Sequence, residues 1–211
     1  MKTVAVYTDY SSLTDEKTDI FRELIAENIE GNPKKLRKSS VCVRAMLKCI
    51  LKRYFDVTDF IIDTDENGKP YIKDSELHFN FSHSDGEALC VVSTESVGCD
   101  VQSLKPFNPR VAARYYRESE NKLLEESADK DECFIKLWVL KEAILKQKGT
   151  GLSGGLNSYG FSEYVSDEAF EAYGLYFRCF SRENFYYAVC SETEDASVFE
   201  IDTDEILKNL M

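Results

Sequence analysis

FIKLWVLKEAILKQKGTGL, running from Phe134 to Leu152, is the stretch that decides how the rest of the chain is read. Ile135, Trp138, Val139, Glu142, Leu145 and Lys146 recur at steps of three and four, which predicts one helix with these residues on a common face. Gly149 and Gly151 end it, just past the last turn, where glycine is least costly. The face is mostly apolar and carries the only tryptophan, Trp138. A carboxylate such as Glu142 on a half-buried apolar stripe costs free energy unless a cation answers it. Lys141 and Lys146 are near enough to do so, and a bound metal would do it better. Taken alone, the stretch reads as a core helix with a Glu142–Lys146 pair, worth a few tenths of a kcal/mol at a surface.

The totals set the class. The chain has 211 residues, 43% hydrophobic and 30% charged, which is the make-up of a folded globular protein with a well-buried core. Lys plus Arg is 26 and Asp plus Glu is 38, a formal charge of -12 that argues against general nucleic-acid binding. Seven cysteines, with no CxxC pair, and no signal-peptide pattern point to a reduced, cytoplasmic protein. Two histidines and scattered cysteines lack the spacing of a structural zinc site. No apolar run is long enough to cross a bilayer.

Before the central helix, Thr3–Thr8 reads as a strand and Thr14–Ile29 as an amphipathic helix broken by Asn32-Pro33. A second helix is expected over Ser40–Tyr54, capped by Ser39 or Ser40. Between Gly31 and Phe55 stand eight basic residues and no acidic one. Arg44, Lys48 and Lys52 fall on one face, and Arg37 and Lys38 precede the helix start, where amides and dipole also favour an anion. The segment reads equally as a solvated basic face or as a pocket for a phosphorylated ligand.

Asp65-Glu66-Asn67-Gly68 is a hairpin-type turn. Leu77–Ser82, Ala88–Ser93 and Ser96–Val101 read as strands, with a polar turn at Ser82-His83-Ser84-Asp85-Gly86. His83 has no nucleophile signature around it, so a donor role toward a ligand is the economical one, with a loop-packing role as the alternative. Asp100 and Gln102 are two apart on a strand and share a face, a spacing suited to a hard divalent cation or to a plain polar edge. Helices are expected over 109–116 and 119–127, strands over 175–180, 185–190 and 198–201, and a last helix over 203–210. This order gives an α+β protein with two similar halves.

Asn67-Gly68-Lys69-Pro70, Phe79-Asn80-Phe81-Ser82-His83-Ser84, Val97-Gly98-Cys99-Asp100 and Trp138-Val139-Leu140-Lys141-Glu142-Ala143, with Lys146 and Gly149-Thr150-Gly151-Leu152, stand in one order. That order and spacing closely resemble the 4′-phosphopantetheinyl transferases, of the monomeric two-half type that activates peptide synthetases. The resemblance implies a pseudo-symmetric two-half fold, with an N-terminal half over 1–104 and a C-terminal half over 105–211. It implies Mg²⁺, coenzyme A as substrate, and transfer of the phosphopantetheine arm to a serine hydroxyl of an apo-carrier protein, acyl or peptidyl. Asp100 and Glu142 would hold the metal. Gln102, where many members have an acid, would be a weaker or water-mediated ligand. Lys146 would neutralise the pyrophosphate, and Glu142 would take the serine proton. Arg37, Lys69, Ser82 and His83 would bind the nucleotide 3′-phosphate, with Lys141 also among the coenzyme-binding residues. Phe107, Tyr115 and Tyr116 would meet the carrier. The competing expectation is a coenzyme A-binding homologue impaired in catalysis, for which the neutral Gln102 leaves room.

Overall fold

The computed structural model describes residues 2–66, 68–151 and 155–211. Asn67 of the expected turn and Leu152 at the end of the quoted stretch lie outside the described residues.

The chain opens with β1 (Thr3–Asp9), α1 (Asp15–Ile25) and α2 (Lys38–Phe55), then the small hairpin β2 (Ile62–Thr64) and β3 (Pro70–Ile72). β4 (His78–Ser84), β5 (Glu87–Ser93) and β6 (Val97–Ser103) follow. Next come α3 (Pro109–Tyr115), α4 (Glu118–Glu126) and α5 (Lys130–Lys148). The chain ends with β7 (Ala169–Ala172), β8 (Leu175–Arg182), β9 (Phe185–Ser191), β10 (Ala196–Glu200) and α6 (Thr203–Leu210).

Strand pairing makes the two halves visible. One sheet has the order β10-β1-β5-β4 and the other β6-β9-β8-β7. In each, a first strand lies antiparallel to the last strand of its repeat: β1 on β5, with β4 outside, and β6 on β9, with β8 outside. Each repeat carries one long helix, α2 or α5, against its sheet. β6 pairs with β9 from Val97↔Ser191 to Ser103↔Phe185, so the expected boundary at 104/105 divides the chain but not the sheets. β10 likewise returns from the end of the chain to lie parallel to β1.

Period-two alternation builds the layers. Val4, Val6, Cys90 and Val92 face α2, with Phe21 of α1 and Ile206 of α6 in the same cluster. Ala5, Leu89 and Val91 face Val97, Cys99, Val101 and Val189 of the second sheet. α5 covers the other side of that sheet, over Ala188, Cys190 and Phe177. All seven cysteines are buried and unpaired. Among the described residues, no helix is long and apolar enough to cross a membrane.

Several boundaries move, each for a local reason. The expected helix over 14–29 ends at Ile25 and tightens into a 3₁₀ turn, whose last residue, Asn28, donates its side-chain amide to Phe60 O at 2.9 Å. α2 starts at Lys38, and neither Ser39 nor Ser40 caps it; Arg37 holds the cap position without a side-chain bond. Ser82-His83-Ser84 is not a turn. β4 runs through these residues, and the chain reverses only at Asp85 and Gly86, both at positive φ. α5 begins four residues before Phe134, because the Asp129 carboxylate accepts Glu132 N at 2.9 Å. It stops where Gly149, at φ 69°, turns its N–H back to Leu145 O and Lys146 O. Nor is α5 a one-sided helix: Leu137, Leu140, Lys141, Ala143, Ile144 and Gln147 are buried along with the expected stripe.

Candidate active site

Gly98 explains how close α5 comes to β6. A Cβ built there would run into Ala143 O and Gln147 N, and would lie 2.9 Å from Gln147 Cα. With no side chain in the way, the helix turn holding Glu142 and Lys146 sits directly on the strand that carries Asp100. Asp100 is 1% exposed. Its Oδ1 receives the Lys146 ammonium at 2.6 Å and the Ser82 hydroxyl at 2.7 Å. Lys146 also donates to Ser82 Oγ at 3.0 Å. Burial works against the charge on Lys146, but Asp100, with Cys99 and Glu142 adding to it, holds the amine pKa above the ordinary lysine value.

Glu142 therefore has lost the partner expected for it. Lys146 bonds Asp100, and among the described residues Glu142 makes no ion pair or hydrogen bond. Burial raises its pKa, the charge of Asp100 raises it further, and Lys146 offsets only part of this. A half-buried carboxylate without a cation, beside a second carboxylate, is the costly arrangement that a structural role would avoid.

β4 and β6 are edge strands of different sheets, and side chains bridge the seam between them. Asn80 Oδ1 accepts Cys99 N at 3.1 Å, and Ser82 meets Asp100. The Ser84 hydroxyl donates to Gln102 Oε1 and accepts Ser103 N, each at 3.3 Å. Gln102 shares the Asp100 face, as expected, but turns its amide nitrogen toward Asp100 Oδ2, at 3.5 Å.

The basic segment divides. Lys48 bonds Leu24 O and Glu27, and Lys52 bonds Asn209 O, so both fasten α2 to neighbouring helices. Arg44 turns the other way, stacks 5.4 Å over Phe81 and donates to Ser40 O. His83 is exposed on β4; desolvation, then the charges of Lys146, Arg37 and Arg44, push its imidazole pKa below the ordinary value. These cations thus surround one edge of β4. Lys69 stands apart from them: its ammonium donates to Gln147 O at 3.0 Å and lines a cavity of about 380 Å³ with His78, Ser96 and Lys148. Burial lowers its pKa.

Lys141 does not reach this cleft. Its side chain is 0% exposed and paired at 2.8 Å with Glu120, also 0% exposed. It donates to Leu156 O at 2.9 Å and to Tyr159 O, and lies over the Tyr116 ring. Glu120 in turn accepts Arg117 N and Phe161 N, so the pair ties α4, α5 and the 155–161 segment together. Sequence reading missed Glu120; its place three residues after Arg117, at the start of a helix, was the available signal. Tyr116 is also interior, with its hydroxyl on Phe134 O at 2.7 Å, whereas Phe107 and Tyr115 are partly buried against Phe134 and Trp138. Asn80 and Gly98 were quoted only as motif letters and proved to shape the site.

Residues 96–199 match the family described as the 4′-phosphopantetheinyl transferase superfamily. The chain is 29% identical over 169 residues to the 4′-phosphopantetheinyl transferase Sfp of Bacillus subtilis (strain 168), covering 75% of each protein. It is 37% identical over 102 residues to the 4′-phosphopantetheinyl transferase psf-1 of Bacillus pumilus, covering 47% of this chain and 44% of that one. Among solved structures it is similar to the holo-[acyl-carrier-protein] synthase of Thermotoga maritima, with TM-score 0.31 and 24% identity, over 46% of this chain and 61% of that one.

Proposed function

We propose that this chain, whose residues 96–199 match the 4′-phosphopantetheinyl transferase superfamily, is such a transferase, and that the seam between β4 and β6, under α5, is where it carries out the transfer. The reaction moves the 4′-phosphopantetheine arm of coenzyme A to a serine hydroxyl of an apo-carrier protein. The observation that carries the assignment is the convergence of Lys146 and Ser82 on Asp100, with Glu142 alongside and without a cation of its own.

The donor set fits a hard divalent cation such as Mg²⁺: two carboxylates, with the oxygen of a carboxamide next to them. Asp100 and Glu142 would hold it, and Gln102 would join if its amide turned to present Oε1. When bound, the cation would draw charge from the pyrophosphate oxygens, the usual need of phosphoryl transfer. The chain's own residues supply the rest. Lys146 is charged and set between Asp100 and Ser82, within reach of an anion entering the cleft. His83, Arg37 and Arg44 attract the nucleotide phosphates at the edge of β4. Lys69, at the end of α5, is the remaining candidate contact for that nucleotide.

The serine oxygen of the carrier forms a bond to the phosphorus that bears pantetheine. The bond from that phosphorus to the bridging oxygen breaks, and the oxygen leaves with adenosine 3′,5′-bisphosphate. Glu142 takes the serine proton, a role its raised pKa favours at neutral pH. Phe107, against Phe134, and Tyr115, against Trp138, are the candidate carrier contacts. A complete set of groups within one chain supports action as a monomer. Incubation with coenzyme A, Mg²⁺ and several apo-carrier proteins tests the reading: a carrier gains the mass of one phosphopantetheine at its serine. Tight coenzyme A binding with no transfer to any carrier would refute it.

A further inference from the structure

Asp100 owes its place to a strand that lacks a neighbour on one side. β6 is the edge of its sheet, and β4 is the edge of the other, so no backbone ladder joins them. The Cys99 N–H points out from this edge and is taken by Asn80 Oδ1 at 3.1 Å. Asn80 is 6% exposed, on the β4 face that also carries Ser82 and Ser84. Among the described residues, the other main-chain fastening across the seam, Ser103 N to Ser84 Oγ, lies past Gln102 and is longer, at 3.3 Å. Ser82 bonds the Asp100 side chain and not its strand.

We propose that Asn80 is a positioning residue for the metal-side carboxylate. By accepting the Cys99 N–H, it fixes β6 against β4 and so sets Asp100 beneath Glu142 and Lys146. The inference rests on the reading of the seam as the transfer site. Asn80 bonds the strand next to Asp100 and makes no bond to Arg37, Lys69 or His83, so its loss acts on the metal side of the site and not on the nucleotide side. A buried N–H left without an acceptor also has reason to move toward water or another partner, taking β6 with it.

The test compares Asn80→Ala with Asn80→Leu, which restores the side-chain volume without the acceptor. In both, the Mg²⁺ concentration for half-maximal transfer should rise about tenfold, the scale of one lost hydrogen bond. Direct Mn²⁺ titration in the presence of coenzyme A should weaken in step, while metal-free coenzyme A affinity stays within about twofold. Hydrogen exchange at the Cys99 amide, followed by NMR, should accelerate in both variants. Three results would each overturn the inference alone: unchanged metal half-saturation in a folded variant, full rescue by leucine, or unchanged protection of the Cys99 amide. A wild-type protein that transfers nothing overturns the assignment of the site, and this inference with it.

Discussion

Gly98→Ala is the sharpest test of the arrangement, since one methyl group is placed where α5 meets β6. The new Cβ would collide with Ala143 O and Gln147 N and sit 2.9 Å from Gln147 Cα. All three are backbone atoms of Ala143 and Gln147, one residue after Glu142 and one after Lys146, so no side chain can swing away to make room. Ordinary carbon contacts lie at about 3.5–4.0 Å, so helix and strand must part by on the order of 1 Å. Overpacking of this kind costs about 1–3 kcal/mol. For a chain of this length that is a fall in melting temperature of roughly 3–10 °C. The same displacement draws Glu142 and Lys146 away from Asp100, and a shift of about 1 Å at reacting groups costs roughly 100-fold in rate. Metal-free coenzyme A affinity should change little, because His83 on β4, Arg37 at the start of α2 and Arg44 along it lie outside the contact between α5 and β6. Thermal melting, transfer to an apo-carrier and calorimetric coenzyme A binding measure the three quantities. An alanine variant that melts and transfers like the wild type would mean that α5 does not rest on Gly98, and the geometry argued for Asp100 would fall.

Other consequences are equally direct. Burial, then Asp100, raises the Glu142 pKa, so the fold loses stability as pH rises from the ordinary carboxyl value of 4.5 through the raised one. Glu142→Gln should therefore melt no lower than the wild type at neutral pH, while transfer falls by about 10²–10⁴-fold; near-normal transfer would remove Glu142 from the chemistry. Lys141→Ala strands the buried Glu120 charge, which costs about 3–5 kcal/mol and lowers the melting temperature by roughly 10 °C or more. Coenzyme A affinity should persist at a temperature where this variant is still folded, and its specific loss there would return Lys141 to the coenzyme site. Desolvation and nearby cations depress the His83 pKa below 6.5, so the ring is neutral at neutral pH in the free protein. A phosphate beside it would draw a proton on, so metal-free coenzyme A binding should tighten as pH falls from about 7 toward that depressed value. His83→Asn should flatten this trend, and a flat profile in the wild type would take His83 out of the anion site.

Much of this was legible in residue order alone. The valine-rich run at 3–8 and the run at 88–93 read as strands, as they are, and the last helix fell at 203–210 as read. Gly149 ended the central helix where a left-handed residue was required. The four motifs pointed to the family, and Asp100, Glu142 and Lys146 do converge. Periodicity could not say which neighbour each face would meet. α5 is buried nearly all round, so its apolar pattern has no direction, and Lys141 and Lys146 look alike in sequence. One points to Glu120 and the core, the other to Asp100 and the cleft. The basic stripe of α2 likewise looked uniform until α1 and α6 took Lys48 and Lys52. Local spacing fixes where a side chain leaves its own helix or strand. What answers its charge is set by elements far along the chain, brought beside it only when two sheets pack face to face and leave β4 and β6 edge to edge. The seam they form exists in no segment of the sequence, which is why Asn80 and Gly98 became part of the site only in three dimensions.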